Sequence, residues 1–139
     1  MKGSRDEREA EAWFRDRYSR ASTVAARDLE RIVIGSDFGA NGYTTMAQAD
    51  LIARRLRLRE ADLLLDVGSG QGWPGLYLAK VSRCSVVLTD LPDEGLRTAR
   101  RRATIEGIGE RATAVAASAR RLPFVHGTFD AIVHTDVLC

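Results

Sequence analysis

The run Leu63-Leu64-Leu65-Asp66-Val67-Gly68-Ser69-Gly70-Gln71-Gly72 constrains this chain more than any other segment, because a short apolar strand passes directly into an acid and three glycines at alternate positions. Glycines at that spacing permit positive φ and let the backbone approach a ligand where a Cβ would collide. The residues that follow open a helix, whose first N–H groups face whatever is bound. The segment reads as a nucleotide-binding turn.

From Ala61 onward, short apolar runs alternate with helical stretches, the grammar of βαβ units and a parallel sheet. Strands are expected at Leu63–Val67, Ser85–Thr89, Ala112–Ala116 and Ala131–His134, with helices near Pro74–Lys80 and Gly95–Ile108 between them. Buried parallel strands read as nearly continuous apolar runs, as Leu63-Leu64-Leu65 and Ala131-Ile132-Val133 do. Gly107 and Gly109 are placed to end the second helix. Upstream, Ala10, Trp13, Phe14, Tyr18 and Ala21 recur at helical spacing within Glu7–Ser22. Turn formers crowd Gly35 to Tyr43, and a further helix is expected from about Thr45 to Leu58, capped by Thr44 or Thr45. Arg54, Arg55, Arg57 and Arg59 read as a solvated face.

A chain of 139 residues is the size of one domain. Its 45% hydrophobic and 29% charged content is that of an ordinary globular protein, and no apolar run approaches the roughly 18 residues of a membrane span. The 21 basic and 19 acidic residues leave a net charge of +2, which does not imply a nucleic-acid partner. Met1 to Arg8 is too polar for a signal peptide, so a cytoplasmic location is the expectation. Cys84 and Cys139 have neither paired spacing nor nearby histidines, so they read as reduced thiols and no metal site is expected.

Alone, the glycine turn fits two templates. Gly70-Gln71-Gly72-Trp73-Pro74-Gly75 matches the dinucleotide fingerprint of nicotinamide enzymes, whereas Asp66, Gly68, Gly70 and Gly72 match the first motif of another family. Asp90, about 20 residues on at the end of the second strand, suits either, since both use a carboxylate there for ribose hydroxyls. Three features separate them. Asp66 occupies a strand tip that dinucleotide domains fill with an apolar residue, Pro74 removes a phosphate-facing donor, and Ser118 to Phe124 followed by Phe129 to Val133 matches a segment between strands three and four. On these residues, from about Leu63 to Cys139, the chain resembles the class I S-adenosylmethionine-dependent methyltransferases.

The resemblance implies an α/β, Rossmann-like parallel sheet with flanking helices and S-adenosyl-L-methionine as cofactor. Gly68, Gly70 and Gly72 would pack against its methionine and ribose parts, with the charge of Asp66 near its cationic end. Asp90 would hold the ribose, and Leu91 would flank the adenine. Ser118 stands where the family often has an aspartate for the adenine amino group, so recognition there would use the Ser118 hydroxyl or the Ala119 backbone. The strand-four tip lacks the Asn-Pro-Pro-Tyr or Asp-Pro-Pro-Tyr of amino-methylating nucleic-acid enzymes, which points to a small-molecule acceptor.

Other residues have plainer alternatives. Asp66 and Asp90 can be read as simple loop carboxylates, Asp130 as punctuation of strand four, and His126 as solvent-facing in a turn. Trp73 is a packing residue or a wall of the cleft. Tyr43 is an aromatic staple on the sheet edge or part of a segment, Phe38 to Met46, that closes over cofactor or substrate. His134 sits at the tip of strand four, where open α/β sheets bind ligands, and is either a general base or a hydrogen-bonded structural histidine. Methyl transfer itself chiefly requires alignment of the nucleophile.

The family usually has seven strands, and this sequence supplies the first four. Residues 1–60 then form an N-terminal helical cap or lid and residues 61–139 a cofactor-binding half-domain, with strand four an apolar edge open to self-association. The chain reads as a fragment. Three functions follow as alternatives: a methyltransferase or its cofactor-binding half, an NAD-dependent oxidoreductase domain, and a non-catalytic cofactor-binding module.

Overall fold

Four parallel strands carry the molecule: β1 (Leu63–Val67), β2 (Ser85–Asp90), β3 (Ala112–Ala116) and β4 (Ala131–Val133), hydrogen-bonded in the order β3-β2-β1-β4. The computed structural model describes residues 5–20, 23–39 and 42–137, so Cys139 and the predicted helix end at Ala21 and Ser22 lie outside the described residues. Among the described residues five α-helices accompany the sheet, α1 (Arg5–Arg20), α2 (Val24–Val33), α3 (Met46–Leu56), α4 (Gly75–Ser82) and α5 (Asp93–Ile105), with a short 3-10 turn at Gly109–Arg111. The strands fall where the apolar runs predict them, except that β2 extends to Asp90 and β4 stops before His134. α5 begins and ends earlier than expected, and Gly107 follows it in the left-handed region at φ +72.

Register places the functional ends of the strands together. Asp66 lies opposite Leu88 of β2 and Val133 of β4, and Asp90 lies opposite Ala116 of β3. The loops leaving all four strands therefore meet at one edge of the sheet. Beneath them Leu64, Leu76, Leu78, Val86, Leu88, Leu96 and Ala99 are fully buried. α4 packs on β1 and β2, α5 on β2 and β3, α3 on α4, and α1 on α5. Gly72 shows why the turn needs glycine: its φ is +100, and a Cβ there would meet Leu76 Cδ1 at 2.5 Å.

The helical caps follow local chemistry. Thr45 caps α3 by accepting the Gln48 N–H, and Gln48 Oε1 accepts the Thr45 N–H in return. α2 has no counterpart among the predicted elements. Thr23 caps it, but Val24, Leu29, Ile32 and Val33 are exposed and its buried residue is an acid, Glu30. That carboxylate accepts the N–H groups of Phe38 at 2.6 Å and Gly39 at 2.9 Å. It thereby fixes the loop that carries Phe38 onto Trp73, with ring centroids 5.0 Å apart. The Arg102 guanidinium covers the Phe38 ring at 4.9 Å. Replacing Glu30 by alanine strands two amide donors, and a loss of about 2 kcal/mol is expected in urea denaturation; an unchanged midpoint would show that the loop is held by its aromatic contacts alone.

Asp66 closes the turn from behind. Its carboxylate is fully buried and accepts the N–H of Gly75, the first residue of α4, at 2.9 Å. Thr89 Oγ1 donates to the Asp66 carbonyl at 3.1 Å. Burial pushes the Asp66 carboxyl up to about 8, against the Gly75 hydrogen bond and with help from the nearby charge of Asp90. The folded state thus keeps a proton that the unfolded chain releases above about pH 4. Stability from this group is complete below that pH and is lost as pH rises through about 8. Asp66→Asn removes one titrating group, so the fall in denaturation midpoint between about pH 5 and pH 8 should shrink; an unaltered slope would place the titration elsewhere.

Candidate functional site

Asp90 is the polar centre of the loop edge. Its Oδ1 accepts the Leu91 N–H at 2.7 Å, and its Oδ2 accepts both the Gly70 N–H at 2.7 Å and the Tyr18 hydroxyl at 3.0 Å. Burial raises the Asp90 carboxyl above its ordinary range, and these hydrogen bonds oppose the shift. Burial and the adjoining carboxylate also push the Tyr18 phenol up, so it remains a donor.

Two cavities flank Gly68. One, of about 160 Å³, is roofed by Ala10, Glu11, Phe14 and Tyr18 of α1 and walled by Gly68, Asp90, Leu91, Pro92, Ala117 and Ala119, with Asp136 and Val137 at one side. The other, of about 60 Å³, lies among Ser69, Gly70, Gln71, Trp73, Gly39, Gly42, Thr135 and Asp136. Ser69 Oγ in this second wall is buried and has no hydrogen-bond partner. A carboxylate beside an apolar slot suits a flat ring system bearing hydroxyls, and the orphaned hydroxyl adds a polar contact on the far side of the turn.

The segment before α3 is clamped over the smaller cavity. Asp136, left-handed at φ +58, directs Oδ2 to the Tyr43 N–H at 2.9 Å, the Thr44 N–H at 3.3 Å and the Thr44 hydroxyl at 3.1 Å. Trp73 Nε1 donates to the Thr44 carbonyl at 2.8 Å. Gly39 and Gly42 line that cavity.

Of the residues singled out in the sequence, Gly68, Gly70, Asp90, Leu91 and Ala119 line these cavities. Asp66 and Gly72 do not line them and support the turn from behind. The Ser118 hydroxyl donates to Glu7 Oε1 of α1 at 2.7 Å and accepts the Arg120 N–H at 3.2 Å. His134 is exposed and lines neither cavity; Thr135 and Asp136 stand at the strand-four tip instead. Trp73 both packs and lines the smaller cavity, while the Tyr43 side chain, 82% exposed, is not stapled to the sheet. Asp130 accepts the Leu63 N–H at 2.8 Å, the structural role read for it.

Sequence reasoning did not place Tyr18 and Gln71 at these cavities, where both stand. Tyr18 carried only a helical-face signal, and its partner Asp90 is 72 positions away. Gln71 sits inside the glycine motif and donates from Nε2 to the Tyr18 carbonyl at 3.2 Å. Among the described residues no cluster of three His, Cys, Asp or Glu could hold a metal, and no helix is long and apolar enough to cross a membrane.

Solved structures share this fold. A protein from Methanococcus maripaludis assigned as an S-adenosyl-L-methionine-dependent methyltransferase superposes with a TM-score of 0.67 at 19% identity, over 86% of this chain and 50% of its own. A S-adenosyl-L-methionine-dependent methyltransferase from Geobacter sulfurreducens, solved with S-adenosyl-L-homocysteine, matches with a TM-score of 0.50 at 25% identity, over 54% of this chain and 30% of its own. The cyclase SpnF matches with a TM-score of 0.58 at 29% identity, over 62% and 32%. The chain thus spans between about a third and a half of the length of these structures. A family model described as a methyltransferase domain matches residues 64–139, more than half of the sequence and the whole sheet with its glycine turn, so the chain belongs to the methyltransferase-domain family.

Proposed function

We propose that residues 61–139 are the cofactor-binding half of an S-adenosylmethionine-dependent methyltransferase, and that residues 1–60 form a cap over its site. The observation that carries this reading is the pairing of Asp90 with the Gly68–Gly72 turn beside an apolar slot, in a chain of this family. The residues fit the cofactor. The Asp90 carboxylate suits a ribose diol, Leu91, Pro92 and Ala119 suit the faces and edge of an adenine, and the orphaned Ser69 hydroxyl offers a partner to a polar methionine end. When bound, the cofactor supplies a methyl group already activated on a sulfonium. The protein's own task is then to orient the acceptor and exclude water, for which the Asp136 clamp on Tyr43 and Thr44 is the available device.

The first turn of α4 weighs against the nicotinamide alternative. Dinucleotide sites direct the N–H groups of that helix at a pyrophosphate. Here Pro74 has no N–H, Gly75 donates to the buried Asp66 carboxylate, and Leu76 donates to the Gly72 carbonyl at 2.9 Å.

The lack of Asn-Pro-Pro-Tyr or Asp-Pro-Pro-Tyr at the strand-four tip, which reads His134-Thr135-Asp136, supports a small-molecule acceptor, and the exposure of His134 outside both cavities weighs against its use as a base. β4 has a free outer edge with Ile132 59% exposed, which supports pairing with another strand, a second copy in the case of the isolated chain. A second reading, cofactor binding without methyl transfer, is favoured by the match to a protein named for cyclisation. Both readings require cofactor binding. In calorimetry the 139-residue chain should bind S-adenosylhomocysteine and not NAD, and Asp90→Ala should weaken that binding by about 100-fold, the value of two hydrogen bonds to a charged acceptor. Preferential NAD binding would overturn the proposal.

A further inference from the structure

α1 lies across the site in a manner that a passive cover does not require. Its Tyr18 hydroxyl donates to Asp90 Oδ2, which already accepts the Gly70 N–H, so that oxygen has both lone pairs engaged. Its Glu7 carboxylate takes the single O–H of Ser118. Asp90 and Ser118 are the two side chains that the cofactor reading assigns to the ribose and the adenine, and both already carry protein partners, three donors on Asp90 with one acceptor site of Oδ1 left open, and Glu7 on Ser118.

The Tyr18 ring also fills space. It packs between the glycine turn and α5 so closely that a Cβ at Gly95 would meet Tyr18 Cε2 at 2.9 Å and the Gly70 carbonyl at 2.8 Å. The slot left beneath α1 is about 160 Å³, whereas small-molecule sites usually enclose at least roughly 300 Å³. With α1 in place the space beside Asp90 is narrow.

Two further attachments of α1 are of a kind that exchanges readily. The Arg15–Glu94 ion pair to α5 spans 3.0 Å with both side chains about half exposed, and such pairs contribute little to stability. Gln71 adds one hydrogen bond to the Tyr18 carbonyl. On its outer side Trp13 is 55% exposed.

We propose that α1 is an autoinhibitory element of the cofactor site, with Tyr18 and Glu7 standing in for the nucleoside on Asp90 and Ser118. The inference rests on the cofactor reading above. Cofactor and α1 compete, so apparent affinity equals intrinsic affinity reduced by the fraction of molecules in which α1 is undocked. Weakening the docked state therefore tightens binding. A lid that closes over bound cofactor behaves in the opposite way, since removing one of its contacts costs affinity.

The test is calorimetry of the full chain with S-adenosylhomocysteine, comparing the native protein with Tyr18→Phe, which keeps the ring and removes the hydroxyl. Binding about tenfold tighter is expected, the value of one hydrogen bond to a charged acceptor, with a smaller gain for Glu7→Ala. In parallel, S-adenosylhomocysteine should accelerate tryptic cleavage after Arg15 and Arg17 in the native chain. Equal or weaker binding by both variants, or protection of those two arginines by the ligand, would overturn autoinhibition while leaving the cofactor site intact. Absence of binding by all three proteins would overturn the cofactor reading and the inference with it.

Discussion

One carboxylate holds the functional edge of this molecule together. Asp90 ends β2 and receives donors from three separate parts of the chain: Gly70 in the glycine turn, Leu91 at the approach to α5, and Tyr18 on α1. The Gly70 contact follows from the parallel register that brings the ends of β1 and β2 level, with Val67 opposite Thr89. Without that register the Gly70 amide would lose its acceptor. The same three donors keep a half-buried acid tolerable in a slot otherwise lined by Leu91, Pro92 and alanines.

The two acids of the glycine turn have divided roles that their similar positions at strand ends do not announce. Asp66 faces inward, receives the first N–H of α4 and has its ionisation opposed by complete burial. Asp90 faces the slot and keeps several donors around it. Desolvation acts on both carboxyls, but only Asp90 is placed where a ligand hydroxyl can exchange for a protein one. Asp66 thus fixes the start of α4 through the Gly75 N–H.

What the sequence made legible follows from the range of the forces involved. The four strands could be read because central parallel strands are buried on both faces and spell apolar runs, and the glycines because backbone conformation is a local property. α2 could not be read, since the side it buries is an acid, Glu30, while its apolar residues face outward. His134 was singled out by its place after β4, yet the chain leaves the strand at Val133 and turns through a left-handed Asp136, so strand alternation no longer says which side chain faces the cleft. Tyr18 lay beyond local inference altogether, because its importance arises from a partner far along the chain.

The central claim is that the turn, the Asp90 carboxylate and the slot between them form one cofactor site. Amide resonances of the isotopically labelled chain, followed by NMR during titration with S-adenosylhomocysteine, test it most directly. The account predicts saturable shifts concentrated at Gly68, Gly70, Leu91 and Ala119. Shifts confined to residues away from this edge, or spectra indifferent to the ligand at saturating concentration, would contradict it.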